Sequence, residues 1–273
     1  MPIIFKAKTQ DGYVIKILAE LLQNNLKSAC FEIDKNGISL GQMDNNRTIL
    51  ILLSLNANRF NVYSYRRNEK MYMGVNLMHF HKMLKTIKKK DSVQFFIDDK
   101  NPNELGIKVI PNENNRHMTS YIKIQSDQNI NISDVPTDYT KPIIVSSSEY
   151  QKTIKGLSSI GSMIDVKSRR LQIQFTCDAD GVMSRTAGFG EPDDSDDESD
   201  EEEKEYNASF DTDQLVRVTK LSGLSPTIQI YPMTDMPLLF RSDIGQIGSI
   251  SIYIKDRAQI AKRENLDMDD DDY

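Results

Sequence analysis

The chain has 273 residues, of which 38% are apolar and 27% are charged, and this length predicts two domains rather than one. The mean hydropathy of -0.49 and a longest apolar run of five residues, 49–53, exclude a membrane-spanning helix. No basic region followed by a long apolar segment opens the sequence, so we expect no signal peptide. The two cysteines, Cys30 and Cys177, are too few for a disulfide framework and favour a reducing compartment.

The acidic residues are concentrated in two segments. Residues 191–205 hold 11 acids and one lysine, and residues 264–273 hold six acids and no base. Of the 40 acidic and 34 basic side chains, 23 acids and 33 bases therefore remain for the rest of the chain. Because blocks of like charge repel each other and bury little apolar surface, we expect both segments to be mobile appendages of a basic folded body.

Short helical patterns and alternating strands follow each other along the chain. Apolar residues recur every three to four positions in four stretches, which predict helices over 13–27, 76–87, 149–160 and 211–222. Apolar and polar residues alternate in four further stretches, which predict strands with one buried face at 93–97, 171–175, 227–231 and 249–254. This mixture of short helices and one-sided strands predicts an α+β fold in which helices pack on antiparallel sheets.

One constant offset in residue number aligns the predicted helix at 76–87 with the predicted helix at 211–222. Lys82 then meets Arg217, Lys85 meets Lys220, and residues 93–95 meet residues 228–230. Basic residues three positions apart lie on one helix face. The shared pair favours a duplicated chain of two similar domains over two unrelated solvated faces.

The predicted domain boundaries follow from the polar stretch between the two halves. We expect an N-terminal domain at 1–124, an extended connector at 125–140, a C-terminal domain at 141–260 with a mobile acidic loop at 191–205, and an acidic tail at 261–273. The connector contains Ile130, Ile132 and Val135, which are unusual for a simple spacer and suit a binding groove.

The sequence offers little for catalysis or metal binding. His79 and His81 are two positions apart, so on a helix they point in different directions and cannot share a metal. The Gly-Phe-Gly of residues 188–190 leads into acids that would repel a phosphate. No nucleophile elbow is present. We therefore expect no metal site, no cofactor and no enzymatic activity.

Several motifs resemble one family. Residues 39–44 (Ser-Leu-Gly-Gln-Met-Asp) with the apolar residues 49–51 look like a helix-strand-loop hallmark of proliferating cell nuclear antigen. Residues 73–77 and 82–85 are similar to that family's second helix and the segment entering it. Residues 235–238 and 248–253 fit its C-terminal strands, so the resemblance extends from about residue 3 to residue 257.

The resemblance implies a DNA sliding clamp: a ring of three two-domain chains, with helices lining the hole and sheets outside. Such a protein encircles duplex DNA without reading its sequence, as lysines attract phosphates. It acts as processivity factor for a DNA polymerase and as docking platform for the clamp loader, ligase and nuclease in replication and repair. These expected partners bring peptide motifs, and no membrane partner is expected.

The resemblance also implies the residues that face DNA. They are Lys16, Lys82, Lys85, Lys152, Lys155 and Lys220, to which the internal repeat adds Arg217. Ile17, Gln23, Ser159 and Asp213 stand where the family often carries further basic or histidine side chains. Lys88, Lys89 and Lys90 can replace part of that charge at the end of the second helix, where cations also favour the helix dipole.

A second site implied by the resemblance is an apolar pocket for partner peptides that carry a glutamine, an aliphatic residue and paired aromatics. The matching positions are Met43, Thr48, Leu50, Val135, Pro136, Pro237 and Tyr253. Thr48 replaces an expected aliphatic residue, Asp256 replaces a usual proline, and Arg47 adds charge. These differences predict an altered preference for the partner motif.

Two alternatives remain open from the sequence. One is a clamp-like protein that acts as a monomer or as a subunit of a heterotrimer, as checkpoint clamps do. The other is a metal-dependent nucleic-acid enzyme that uses acidic residues with His79 or His81. We expect the protein to work in the nucleus, or in the replication compartment of a large DNA virus if that is its source.

Overall fold

The computed structural model describes residues 3–112, 117–125, 135–190 and 205–270, with side chains described up to residue 263. The chain divides into two compact units near residue 134. The first unit also includes residues 223–225 and 243–251, and the remaining residues from 134 onward form the second. The connector residues 126–134, the loop residues 191–204 and the last three residues lie outside the described part of the chain.

In its described residues, the first unit contains two α-helices, a short 3-10 helix (Ala57–Arg59) and two groups of antiparallel strands. A five-stranded sheet has the order β5-β1-β7-β8-β9, and a second run of neighbouring strands has the order β6-β2-β3-β4. In chain order the elements are β1 (Ile3–Thr9), α1 (Gly12–Asn25), β2 (Ser28–Ile33), β3 (Gly37–Met43), β4 (Ile49–Asn56), β5 (Val62–Tyr65), β6 (Met71–Asn76), α2 (Leu77–Leu84), β7 (Ser92–Asp98), β8 (Glu104–Ile110) and β9 (Met118–Lys123).

The second unit repeats this plan. One sheet has the order β13-β12-β11-β14, and another run of strands has the order β10-β15-β16-β17. From residue 143 onward the elements are β10 (Ile143–Ser146), α3 (Ser147–Leu157), β11 (Met163–Arg169), β12 (Gln172–Ala179), β13 (Met183–Phe189), β14 (Tyr206–Asp211), α4 (Thr212–Arg217) with a 3-10 turn (Val218–Gly223), β15 (Thr227–Tyr231), β16 (Leu238–Ile244), β17 (Gly248–Ile254) and α5 (Arg257–Asp270). Of these, Gly223, the last two residues of β16 and the first four of β17 are counted with the first unit.

The offset that carries Lys82 onto Arg217 relates most elements of the two units. Applied to the bounds of β6 and α2, it gives 206–211 and 212–219, and the structure has β14 at 206–211 and α4 starting at 212. The same offset carries β2 and β3 onto β11 and β12, and α1 onto α3. The α+β class and the two similar halves are thus confirmed.

Aromatic side chains join the mainly aliphatic core of each unit. In the first unit, the ring of Phe80 on α2 lies 6.4 Å from Phe31 and 5.8 Å from Phe95, each distance measured between ring centroids. In the second unit, the fully buried Tyr150 of α3 lies 5.9 Å from Phe175 and 5.5 Å from Phe240. The helix faces that carry these aromatic residues are buried, so the opposite helix faces, with their lysines, face the solvent.

All four predicted helices end before the last residue that the periodicity predicts: α1 at Asn25, α2 at Leu84, α3 at Leu157 and α4 at Arg217. Helix α2 ends at Leu84, whose carbonyl accepts a bond from the N–H of Ile87 in a tighter turn. Helix α4 ends at Arg217, and just beyond it the carbonyl of Val216 accepts the N–H of Val218 and, at 2.7 Å, the hydroxyl of Thr219. The predicted helix over 211–222 is therefore one short α-helix followed by a 3-10 turn.

Residues 257–270, which include most of the predicted acidic tail, form helix α5. Its start is fixed by a reciprocal pair of hydrogen bonds. The Gln259 N–H donates to Asp256 Oδ1 at 2.7 Å, and the Asp256 N–H donates to Gln259 Oε1 at 3.2 Å. This capping box satisfies two backbone donors at the helix start. It explains why Asp256, where the family resemblance leads one to expect proline, begins a helix here.

Candidate nucleic-acid interface and peptide pocket

Helix α2 carries the predicted DNA-facing Lys82 on its solvent side, and the predicted Lys85 follows directly as its C-cap residue. The helix begins at Asn76, whose side-chain oxygen accepts the N–H of His79 at 3.1 Å. Its apolar positions, Leu77, Phe80 and Leu84, are buried, and the side chains of Lys82 and Lys85 on the other face are exposed. The triplet 88–90 lies beyond the end of α2, in the segment that leads to β7.

Lys16 on the neighbouring helix α1 is more tightly held than its counterparts. Its side chain is half-buried, its Nζ donates to the Ile87 carbonyl at 3.1 Å, and it lies 5.6 Å from the centre of the Tyr13 ring. Ile17 is buried and packs close to Gly223, where a Cβ would come within 2.8 Å of it. Ile17 therefore serves the core, which explains the missing charge at that position.

The second unit carries the other four predicted residues on α3 and α4, which pack against each other. Lys152 and Lys155 are exposed on α3, and Lys152 Nζ forms an exposed ion pair with Glu149 at 2.8 Å. Arg217 and Lys220 are half-buried, Arg217 in the last turn of α4 and Lys220 in the 3-10 turn. Each unit thus places its predicted DNA-facing residues on one pair of helices or directly after it.

The turn between β3 and β4 carries the pocket residues of the first unit. Met43 and Thr48 are half-buried and Leu50 is buried. The carboxylate of the buried Asp44 organises this turn: its Oδ1 accepts the N–H groups of Thr48 at 2.7 Å and Ile49 at 2.9 Å, and its Oδ2 accepts the Thr48 hydroxyl at 3.0 Å. Thr48, which departs from the expected aliphatic residue, therefore anchors the turn.

In the second unit Tyr139 contacts Pro237 and two other tyrosines, one of which, Tyr253, is itself a predicted pocket residue. Tyr139 donates its hydroxyl to the carbonyl of Pro237 at 2.8 Å, and its ring centroid lies 6.0 Å from those of Tyr231 and Tyr253. Burial, and to a lesser degree the nearby Tyr253, raises the pKa of Tyr139 well above its usual value, so its hydroxyl stays protonated and able to donate. Val135 and Pro136 are half-buried close by in sequence.

Sequence reasoning missed Asp44, Tyr139 and Tyr231 as parts of these sites. An acid four residues before a threonine and an apolar strand is a usable signal for Asp44, since short acids commonly close such turns. Tyr139, Tyr231 and Tyr253 stand in the connector and in two separate strands of the second unit, so no local pattern joins them.

Other chemistry is sparse in the described residues. Among them, no group of three His, Cys, Asp or Glu side chains is placed to hold a metal ion. Cys30 and Cys177 are buried thiols that form no disulfide with each other. None of the helices in the described residues combines the length and the apolar composition that a membrane span requires.

Comparison with known proteins identifies the chain. Residues 4–132 match the N-terminal domain of proliferating cell nuclear antigen, and residues 131–257 match the C-terminal domain of the same family. A curated relative from Paramecium bursaria Chlorella virus 1, named "Probable DNA polymerase sliding clamp 1", is 22% identical over 256 residues, which cover 92% of this chain and 96% of the relative. Both matched domains are those of a non-catalytic processivity factor. The chain belongs to the proliferating cell nuclear antigen family of DNA sliding clamps.

Proposed function

We propose that this sliding clamp assembles from three identical chains into a closed ring around duplex DNA. In this role it holds a DNA polymerase on its template and offers docking sites to the loader, ligase and nuclease through their peptide motifs. It acts without catalysis of its own, in the nucleus or in a viral replication compartment. The viral sliding clamp relative supports a place at replicating DNA.

The observation that carries the ring is an edge strand in each unit. Strand β9 ends the five-stranded sheet of the first unit, and β13 ends the four-stranded sheet of the second. Both edges expose large apolar side chains: Met118 is 48% exposed and Tyr121 60%, and Met183 is 51% exposed. Exposed apolar edges invite pairing with another chain. Pairing of β9 in one copy with β13 in the next is a heterologous contact, which closes into a ring when its rotation fits a cycle.

The lysine-bearing helices supply the contact with DNA in this proposal. Lys82, Lys85, Arg217 and Lys220 occupy equivalent positions in the two units, so three copies present a repeated band of positive charge. Phosphate contacts of this kind carry no sequence information, which permits sliding. Lys152 and Lys155 add to the band. Lys16 contributes less, because its amino group already bonds to Ile87.

Partner peptides bind at Met43, Thr48 and Leu50 of the first unit and at Val135, Pro136, Pro237 and Tyr253 of the second. A few apolar anchors usually dominate such small interfaces. Changing Met43 and Leu50 to alanine should therefore weaken peptide binding at least about tenfold while the oligomer persists. Unchanged peptide affinity would remove this surface from the proposal.

The proposal is tested by reversing charge at Lys82, Lys85, Arg217 and Lys220. We expect the quadruple glutamate variant to keep the native mass of three times 31.2 kDa and to lose stimulation of polymerase on a primed circle with loader present. Each lost phosphate contact should reduce the salt dependence of DNA binding by about 0.9 in log–log slope. Full stimulation by the variant would contradict the assigned DNA face.

A matched control has the same charge change elsewhere. Lys35, Lys100, Lys167 and Arg169 are exposed on strands and turns rather than on the paired helices. Their reversal to glutamate should leave stimulation near that of the unmodified chain. A native mass equal to that of one chain would instead favour a monomeric clamp-like protein, and loss of activity with both quadruple variants would show only a dependence on net charge.

A further inference from the structure

A basic cavity lies at the start of β9 and is lined by the lysine triplet 88–90. It has a volume of about 540 Å³ and is lined by Lys88, Lys89, Lys90, His117 and Met118, among others. The three lysines are exposed, and the acid in the lining, Asp91, is buried. The mouth of the cavity therefore has a strong positive charge and suits an anionic occupant.

The floor of this cavity is fixed by Asp91. One carboxylate oxygen accepts the N–H of Lys88 at 2.9 Å and the other accepts the N–H of Asn112 at 3.3 Å. The carbonyl of Asp91 accepts the N–H of Gly12 at 3.2 Å, and a Cβ at Gly12 would lie 2.4 Å from that carbonyl oxygen. The backbone carrying the lysines is thus held by α1 and by the residues after β8, and their charges are presented from a defined position.

The position of the cavity at the edge strand relates it to a second copy. Met118 lines the cavity and is the first residue of β9. The strand pairs in both units are antiparallel. If β9 pairs in the same way with β13 of a neighbouring copy, the start of β9 lies opposite the end of β13. Strand β13 ends at Phe189, and the acidic segment begins at residue 191.

We propose that the acidic segment 191–205 of one copy binds the lysine cavity of the next copy and thereby strengthens the ring. The inference rests on the proposed ring. Two properties make this segment a suitable occupant of the cavity. Its charge is complementary, since 11 of these 15 residues are acidic, and half of such a segment, when extended, spans up to roughly 25 Å from the end of β13. Each of the three interfaces would carry one such contact, in addition to the paired strands.

Zero-length cross-linking with a carbodiimide tests this contact directly, because it joins a lysine amine to a carboxylate only when the two touch. Rings are assembled from a mixture of ¹⁵N-labelled and unlabelled full-length chain. We expect mass spectrometry to find amides between Lys88–Lys90 and segment 191–205 in peptide pairs of mixed label. The exposed Lys82 and Lys85 serve as internal controls, and amides from them should be rarer.

A charge swap gives an independent readout. Reversal of Lys88, Lys89 and Lys90 to glutamate should weaken ring assembly about tenfold in 0.1 M salt, since three exposed ion pairs are lost at each interface. The difference should nearly vanish in 1 M salt, where charges are screened within about 3 Å. Adding Asp193→Lys, Asp194→Lys and Asp196→Lys to this variant should restore assembly.

The outcomes separate this inference from the proposed function. A trimer whose cross-links join only residues of one copy, or whose assembly ignores the charge reversal, overturns the inference and leaves the ring intact. A monomeric unmodified chain overturns both. A reversal variant that assembles normally but binds DNA with a reduced salt slope would assign the three lysines to DNA and overturn the contact with the acidic segment.

Discussion

The turn between β3 and β4 should depend on one carboxylate. Replacing Asp44 by alanine removes three hydrogen bonds, two from the N–H groups of Thr48 and Ile49 and one from the Thr48 hydroxyl. Hydrogen bonds to charged groups contribute about 1.5–3 kcal/mol each. Water can reach the half-buried Thr48 and replace part of its loss, whereas the buried Ile49 N–H loses its partner outright. We therefore expect the free energy of unfolding to fall by about 3 kcal/mol.

Two milder variants calibrate this loss. Thr48→Val removes only the hydroxyl bond and should cost about 1 kcal/mol, and Asp44→Asn, which keeps an acceptor without the charge, should fall between the two. The chain has no tryptophan, so urea unfolding is followed by far-UV circular dichroism at one fixed protein concentration. Peptide affinity should decrease in the same order as stability. If Asp44→Ala is no less stable than Thr48→Val, the carboxylate does not organise the turn.

Three further predictions concern stability. Burial raises the pKa of Tyr150 well above its usual value, so the folded state keeps a proton that the unfolded state releases above about pH 10. The free energy of unfolding should therefore hold its full Tyr150 contribution below that pH and fall by about 1.4 kcal/mol per pH unit above it. Urea titrations at several pH values should show that Tyr150→Phe reduces this slope. Gly106→Ala should destabilise by about 1–3 kcal/mol in urea unfolding, because its Cβ would lie 2.3 Å from the Phe96 ring; an unchanged midpoint would contradict this packing. Asp256→Ala should remove the capping box with Gln259 and lower helicity at 222 nm, with about 1 kcal/mol lost from α5, whereas Asp256→Asn should retain most of it.

Local sequence patterns predicted elements whose signal is carried by neighbouring residues. The strand at 227–231 was predicted with its observed bounds, because alternation and flanking turn residues are local properties. The repeat was predicted from two basic pairs, since duplicated helices keep their solvent faces. The first helix, however, begins at Gly12 rather than 13, where the Gly12 N–H bonds to the carbonyl of Asp91, which is distant in sequence. Such a contact leaves no trace in local periodicity.

The sequence predicted the exposed lysines of the candidate DNA interface better than the tyrosine contacts of the peptide pocket. Exposed lysines on amphipathic helices follow from spacing, and Lys82 and Lys85 are exposed as that spacing predicts. Their role toward DNA, and the domain boundaries near residues 124 and 140, remain predictions. The tyrosine contacts around Pro237 were not predictable, because they join separate strands and a connector through the tertiary fold alone.

The central claim, that the chain encircles DNA, is tested most directly by the topology of the DNA it is bound to. The protein is placed with a clamp loader on a nicked circular duplex, separated from free protein by gel filtration in moderate salt, and the circle is then cut once with a restriction enzyme. A ring held by topology rather than by affinity remains on the circle and leaves after the cut, because it slides off the free ends. Equal retention before and after the cut would show binding by affinity alone and would contradict the sliding ring.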